Sequence, residues 1–317
     1  MQSRQPNSSH SQAKKLVLVA PPAAREPLAP LFDIYEELGN TILWQEQTQL
    51  PDVSSLQKLA EKGDGLLVIG NRKRAPSTVV PGPYIRLHSG RKVPVGWVPF
   101  TSREALHTYA QACAAVHARP KGNLHHALLS QWHPRYLRMA SRLQQGMKRE
   151  ADIRCFSWTS DVVFPEDMLK GMQSGLALAI YLGHGRPVGW VGYHGIRRHH
   201  LEEGTYPPLG SLISLCCLTA SRRRNGLSFA ETAVLKGVAA VSLGAIGPTR
   251  YTNNTRIAVA ISRGIREGAS SMGELITHYF PSWNRGTSDY RLIGDPLAPL
   301  SADPHSLTLA EKIPVYT

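Results

Sequence analysis

Two stretches decide the reading: Ile180-Tyr181-Leu182-Gly183-His184-Gly185 and Ser211-Leu212-Ile213-Ser214-Leu215-Cys216-Cys217-Leu218-Thr219-Ala220. Each opens as an apolar run of the kind found in a parallel strand buried on both faces. Each ends on a residue capable of chemistry. In an open α/β sheet the carboxyl ends of neighbouring strands converge on one crevice, where ligands bind. A histidine at one strand end and a cysteine at the next therefore predict a Cys/His nucleophilic pair.

Outward from these stretches, strand-like and helix-like segments alternate along the chain. Lys15 to Ala20 predicts a strand, Leu28 to Leu38 a helix stopped by Gly39-Asn40, and Thr41 to Trp44 a second strand. Val53 to Glu61 follows as a helix capped by Asp52, then Leu66 to Ile69 as a third strand. This βαβαβ rhythm implies an α/β fold with a mostly parallel sheet and right-handed crossovers. Short strands are expected at Tyr84 to Leu87 and Val93 to Val98, and a helix from Ser102, its N-cap, to His117. Leu124 to Lys148 reads as a helical stretch interrupted near His133-Pro134.

The polar segment Gln144 to Ala151 predicts a boundary, giving a tail over 1–13, a smaller α/β lobe over 14–148 and a second lobe over 149–317. In the second lobe, strands are expected at Ile153 to Trp158, Leu176 to Tyr181, Ser211 to Cys216 and Val238 to Leu243. Helices are expected at Pro165 to Met172, Ser228 to Lys236, Asn254 to Arg266 and Ser271 to Phe280.

The chain has 317 residues, enough for a large core, and 36 Lys+Arg against 23 Asp+Glu give a formal charge of +13. Such a field favours acidic partners. The basic clusters Arg72-Lys73-Arg74 and Arg222-Arg223-Arg224 carry no interleaved aromatics, which disfavours a nucleic-acid reading surface. No apolar run approaches the roughly 20 residues of a membrane-spanning helix. The first 13 residues lack an apolar core and predict a disordered tail rather than a secretory signal. Cys113, Cys155, Cys216 and Cys217 match no zinc spacing, and the adjacent pair is a poor disulfide framework. Reduced thiols and a cytoplasmic location are the expectation.

Successive strand residues face opposite sides, so Cys216 and Cys217 cannot both serve the crevice. Cys217 is the candidate nucleophile because it sits at the strand end, while Cys216 is expected in the core. His184 lies between Gly183 and Gly185, which permit a sharp turn and close backbone approach. A thiolate attacking a carbonyl needs a proton donor for the leaving amine and N–H donors for the oxyanion. His184 answers the first need, and the backbone of Gly185 and Cys217 the second. His194, His199 and His200 lack ligand-spaced partners, no metal site is expected, and no Gly-x-Ser-x-Gly elbow is present.

A strand ending in His-Gly, followed a few dozen residues later by a strand ending in Cys, resembles the caspase-like cysteine peptidases. The gingipain-type peptidases and the related CHAT-domain proteases are the most similar of these. Cys217-Leu218-Thr219-Ala220 is similar to their Cys-x-Thr-Gly turn, with Ala220 in place of the usual glycine. Phe229 to Ala233 with Gly237 to Val241 resembles the helix-strand unit that follows, and Gly294-Asp295-Pro296 a motif near the domain's end. Leu67 to Gly70 and Val93 to Pro99 are similar to the non-catalytic lobe of gingipains, with Trp97 where an arginine is common.

The resemblance implies a three-layer α/β/α sandwich and peptide hydrolysis by an intracellular endopeptidase through a Cys217 acyl-enzyme, with His184 as acid/base. It implies no cofactor. Gly247 to Tyr251 would lie near the substrate pocket, where Arg250 would read an acidic side chain beside Tyr251. The expected partners are a protein or peptide substrate, acidic in character, and a regulatory protein. No orienting carboxylate is identified, although Asp161 and Glu166 precede the His184 strand. Two rivals remain: a catalytically inactive binding scaffold, and a basic nucleic-acid-associated protein, which thiol-independent, salt-sensitive binding would reveal.

Overall fold

The computed structural model describes residues 13–120, 125–131, 133–147, 154–201, 207–222, 226–281 and 287–305. All of the expected tail but Ala13 lies outside them. The first part runs β1 (Lys15–Ala20), α1 (Ala29–Glu37), β2 (Thr41–Glu46), α2 (Val53–Ala60), β3 (Gly65–Asn71), α3 (Pro76–Val79), β4 (Tyr84–Arg86), β5 (Lys92–Phe100) and α4 (Arg103–His117). Local chemistry sets several of these limits. Asp52 accepts from Ser55 N–H at 2.7 Å and Ser102 from Ala105 N–H at 3.1 Å, each capping a helix. Gly39, at φ 69°, ends the turn after α1 in the left-handed region.

The chain continues through β6 (His125–Ser130), α5 (Pro134–Met147), β7 (Arg154–Thr159), α6 (Pro165–Met172), β8 (Leu178–Leu182) and a small hairpin of β9 (Gly185–Arg186) and β10 (Gly189–Trp190). It ends with β11 (Leu209–Leu215), α7 (Phe229–Leu235), β12 (Ala239–Ala245), α8 (Tyr251–Arg266), α9 (Met272–Glu274) and β13 (Tyr290–Gly294).

One sheet runs through the described residues in the order β2-β1-β3-β5-β13-β12-β11-β8-β6-β7, with β4 on β5. β1, β2, β3, β5 and β13 run parallel to one another, and β12, β11, β8, β6 and β7 do the same. β13 meets β12 antiparallel, so strand direction reverses there. Both faces are covered. Leu128, Ile180 and Ile213 enter one hydrophobic core, while their neighbours Leu129, Tyr181 and Leu212 enter another. That alternation explains why these strands read as continuous apolar runs and makes the sandwich three-layered.

Three expectations change. Within the expected helical stretch 124–148, the described residues form a strand, His125–Ser130, and then a helix, Pro134–Met147. Ala127, Leu128 and Leu129 are buried where β6 lies between β7 and β8, and a short apolar run does not distinguish strand from helix by itself. Pro134 opens α5, a favourable first helical position, and does not interrupt one. Second, the segment after Ser271 gives only a short α-helix, which continues as a π-helix over Leu275–Tyr279. Third, β13 had no counterpart in the sequence reading. A division at 148 would separate β6 and α5 from their neighbour β7, whereas the reversal of direction lies between β13 and β12.

Candidate active site

β8 and β11 are parallel neighbours, with Leu182 opposite Leu215, so the residues that follow them emerge side by side. Beyond Leu215 the chain leaves the sheet. Cys216 is buried in the core with its thiol pushed up by burial, then by the neighbouring Cys217, while Cys217 is partly exposed. Leu218 takes φ 65°, a left-handed conformation unusual for a branched side chain, and so turns the chain sharply after Cys217. The turn is tied to the end of β12: Leu218 N–H donates to Gly247 O at 3.2 Å and Ala220 N–H to Ala245 O at 2.9 Å.

The sulfur of Cys217 faces Thr249, whose N–H points at it from 3.3 Å and whose hydroxyl lies 3.7 Å away. Asn254, buried in the first turn of α8, anchors that contact. Its amide donates to Thr249 Oγ1 at 3.1 Å and to Leu215 O at 3.0 Å, and Tyr290 donates to its Oδ1 at 2.8 Å. The last residue of β11, the Thr249 loop and β13 therefore meet on one side chain.

His184 is exposed, on a turn held from three sides. Gln131 accepts its N–H at 2.8 Å, Tyr181 donates its hydroxyl to the His184 carbonyl at 3.0 Å, and Val191 N–H donates there at 3.0 Å. Tyr181 is itself fixed, stacked on Trp190 with centroids 4.4 Å apart. The turn approaches the Cys216-Cys217 segment closely: a methyl on Gly185 would overlap the Cys217 carbonyl and the Cys216 sulfur. The imidazole packs edge-on against Tyr136 at 5.6 Å. Burial, and then the Cys217 side chain, push the Tyr136 hydroxyl up.

Arg250 is the exposed N-cap residue of α8, directly after Thr249. Tyr251 packs edge-on to Tyr136 at 6.1 Å, lies under the Arg135 guanidinium at 4.2 Å and donates its hydroxyl to Arg135 O at 3.1 Å. Asp161 and Glu166 make no hydrogen bond or ion pair with His184 among the described residues. Asp161 acts on Tyr193 and Glu166 on His200. Among the described residues no three metal-binding side chains cluster. The sequence reading missed Gln131, Tyr136, Tyr181, Asn254 and Tyr290. Each reaches the site from a different element, and none carries a local motif.

A model of peptidase family C25 matches residues 92–301. The chain belongs to that family. Its fold is similar to Porphyromonas gingivalis gingipain RgpB in a complex of pro- and mature domains: TM-score 0.70, 13% identity, over 90% of this chain and 79% of that one. The Arg-specific cysteine proteinase gingipain R is matched at TM-score 0.70 and 11% identity, over 92% of this chain and 79% of that one. Saccharomyces cerevisiae separase, solved with securin, matches at TM-score 0.51 and 14% identity over 79% of this chain, which spans 17% of that one. No curated protein sequence matches the chain.

Three positions, one quoted for the resemblance and two that depart from the family pattern, have structural partners. Asp295 of Gly294-Asp295-Pro296 is fully buried, accepting from Tyr35 Oη at 3.0 Å and Leu297 N–H at 2.8 Å and pairing with His117 Nε2 at 2.7 Å. Trp97, in the place of an arginine, donates Nε1 to the buried Glu231 at 3.1 Å, and Arg222 supplies the positive charge to that carboxylate at 2.7 Å. Ala220 fits without glycine because the left-handed residue of the turn is Leu218, and Gly244 leaves room beside it.

Proposed function

We propose that this C25-family cysteine peptidase cleaves peptide bonds through an acyl-enzyme on Cys217, with His184 as acid/base. The supporting observation is the seating of Gly185, the neighbour of His184, against the Cys217 carbonyl and the Cys216 sulfur. The Cys217 thiol gives its proton to His184 as its sulfur adds to the scissile carbonyl carbon, and the carbonyl oxygen takes the negative charge as the C–O double bond opens. The N–H groups of Gly185 and Cys217 are the proposed donors to it. Collapse expels the amine, protonated by His184, and leaves a thioester on Cys217. Water then attacks that thioester, its proton passing to His184, and releases the acid and the free thiol.

Arg250 is proposed to receive an acidic side chain before the cleaved bond, because it is exposed and adjoins the residue that touches the sulfur. A regulatory protein is proposed as a further partner, since the solved relatives are held by a pro-domain and by securin. A cytoplasmic location is proposed on cysteine usage, and cell fractionation tests it. The function is tested by incubating intact chain and Cys217→Ala with a peptide library and reading products by mass spectrometry. Cleavage by the first alone, with a thioester adduct on Cys217, is expected. Equal cleavage, or none by either, overturns the proposal.

A further inference from the structure

The carboxyl ends of β1, β2, β3 and β5 surround a cavity of about 650 Å³. It lies outside the Cys217 site. In the order β2-β1-β3-β5 the chain leaves β1 for β2 on one side and leaves β3 for β5 on the other, and such a switch point between neighbouring strands is where an open α/β sheet forms a crevice.

The lining selects the ligand. The loop after β1 is Pro21-Pro22, which offers no N–H, and it lacks the glycines of a phosphate cradle. Recognition must come from side chains instead. Arg72 and Arg74 line the cavity, no Asp or Glu does, and among the described residues neither arginine has an ion-pair partner. Their turn is shaped by Asn71, which accepts Lys73 N–H on its side chain at 2.9 Å and Arg74 N–H on its carbonyl at 2.9 Å. Gln47 also lines the cavity, with an amide side chain of the type that bonds a peptide backbone. Leu50 and Phe100 supply apolar wall. Guanidinium pairs, amide side chains and apolar surface together match a peptide carrying carboxylates.

The cavity is also tied to the nucleophile. The Arg72 carbonyl accepts a hydrogen bond from Arg222 Nη1, and Arg222 grips Glu231 through Nε at 2.8 Å and Nη2 at 2.7 Å. Arg222 follows Cys217 by only a short turn of chain, at most about 18 Å when extended.

We infer that this cavity docks an acidic peptide segment of the polypeptide whose scissile bond reaches Cys217. The inference rests on the peptidase reading for its substrate and on the cavity alone for its binding. The test uses fluorescence anisotropy with the full chain carrying Cys217→Ala. The probes are a labelled peptide containing four consecutive glutamates and the same peptide with glutamines.

The glutamate peptide is expected to bind at least about tenfold more tightly than the glutamine one, and Arg72→Ala/Arg74→Ala to remove that advantage. Both arginines are exposed, so folding should survive, and circular dichroism checks it. Equal binding of the two peptides, or undiminished binding by the double variant, overturns the inference. Full displacement by millimolar inorganic phosphate also overturns it, by assigning the cavity to small anions. A parallel cleavage assay separates the two readings. Arginine-dependent binding without cleavage by intact chain sinks the peptidase and leaves the docking site. Cleavage that ignores both the glutamates and the double variant sinks the docking site and leaves the peptidase.

Discussion

The N–H of Thr249 points at the sulfur of Cys217 across 3.3 Å, and the buried amide of Asn254 holds the Thr249 hydroxyl in place at 3.1 Å. The Cys217 thiol, the proposed nucleophile, is thus oriented through a residue 37 positions later in the chain. A donor aimed at sulfur both orients the thiol and supports charge on it during attack.

Asn254→Ala would strip hydrogen bonds from Leu215 O, Thr249 Oγ1 and Tyr290 Oη together. A loss of about 2 kcal/mol in stability is expected, with alkylation of Cys217 slowed about tenfold. Denaturant unfolding and timed iodoacetamide labelling measure the two effects separately. Lower stability with unchanged labelling would confine Asn254 to the scaffold.

Gly185→Ala should abolish turnover while sparing most of the fold. The added methyl meets the Cys217 carbonyl and the Cys216 sulfur, so the short β9-β10 hairpin must move and carry His184 with it. Retained cleavage in this variant would separate His184 from the reaction.

Thiol labelling at neutral pH should mark Cys217 first. Burial raises the Cys113 and Cys216 thiols, and neither has access to reagent, whereas Cys217 is partly exposed. Peptide mapping decides, and faster modification of Cys155 would contradict the assignment.

Alkaline pH should destabilise the fold. Cys113 and Cys216 hold their protons more tightly when folded than at the ordinary thiol value of 9.0, and buried Tyr35, Tyr109 and Tyr290 behave alike above 10.0. Their contribution is complete below the unfolded values and is lost as pH rises past them, because the unfolded chain then binds fewer protons. Thermal midpoints should therefore hold to about pH 8.5 and fall beyond it. A midpoint flat to pH 11 would be the contrary result.

Arg222→Met leaves Glu231 charged, buried and without its cation. A cost of about 3–5 kcal/mol is expected, and adding Glu231→Gln should recover part of it. Chemical denaturation of the single and double variants measures the difference. A single variant as stable as the parent would show that Ser228 and Trp97 satisfy the carboxylate alone.

The strands that carry His184 and Cys217 were legible because burial on both faces writes itself as an unbroken apolar run, and the caps at Asp52 and Ser102 because capping is local. β6 was read as helix because His125 to Ser130 is too short to show a period and sits beside a true helix. β13 escaped notice since five residues with an arginine second and a glycine last look like loop. The arginine is tolerated in a buried strand because its guanidinium donates to Ser288 O at 2.6 Å and Tyr290 O at 2.8 Å. Asn254 and Gln131 were invisible for another reason: their partners are brought to them only by tertiary folding.

The place of β13 has a consequence for biosynthesis. β5 and β12 flank it on either side, yet both leave the ribosome long before residue 290. Until Tyr290–Gly294 is made, the nascent chain carries two separate sheets, each with an unpaired edge of the sort that recruits other strands. Joining them is a long-range event, slow compared with local helix formation, and Tyr290 delivers the last hydrogen bond to Asn254 only at that moment. The nucleophile's support is therefore completed by nearly the final piece of the described chain. A partly synthesised molecule is left with unpaired strand edges, the kind of surface that makes incompletely folded chains prone to associate.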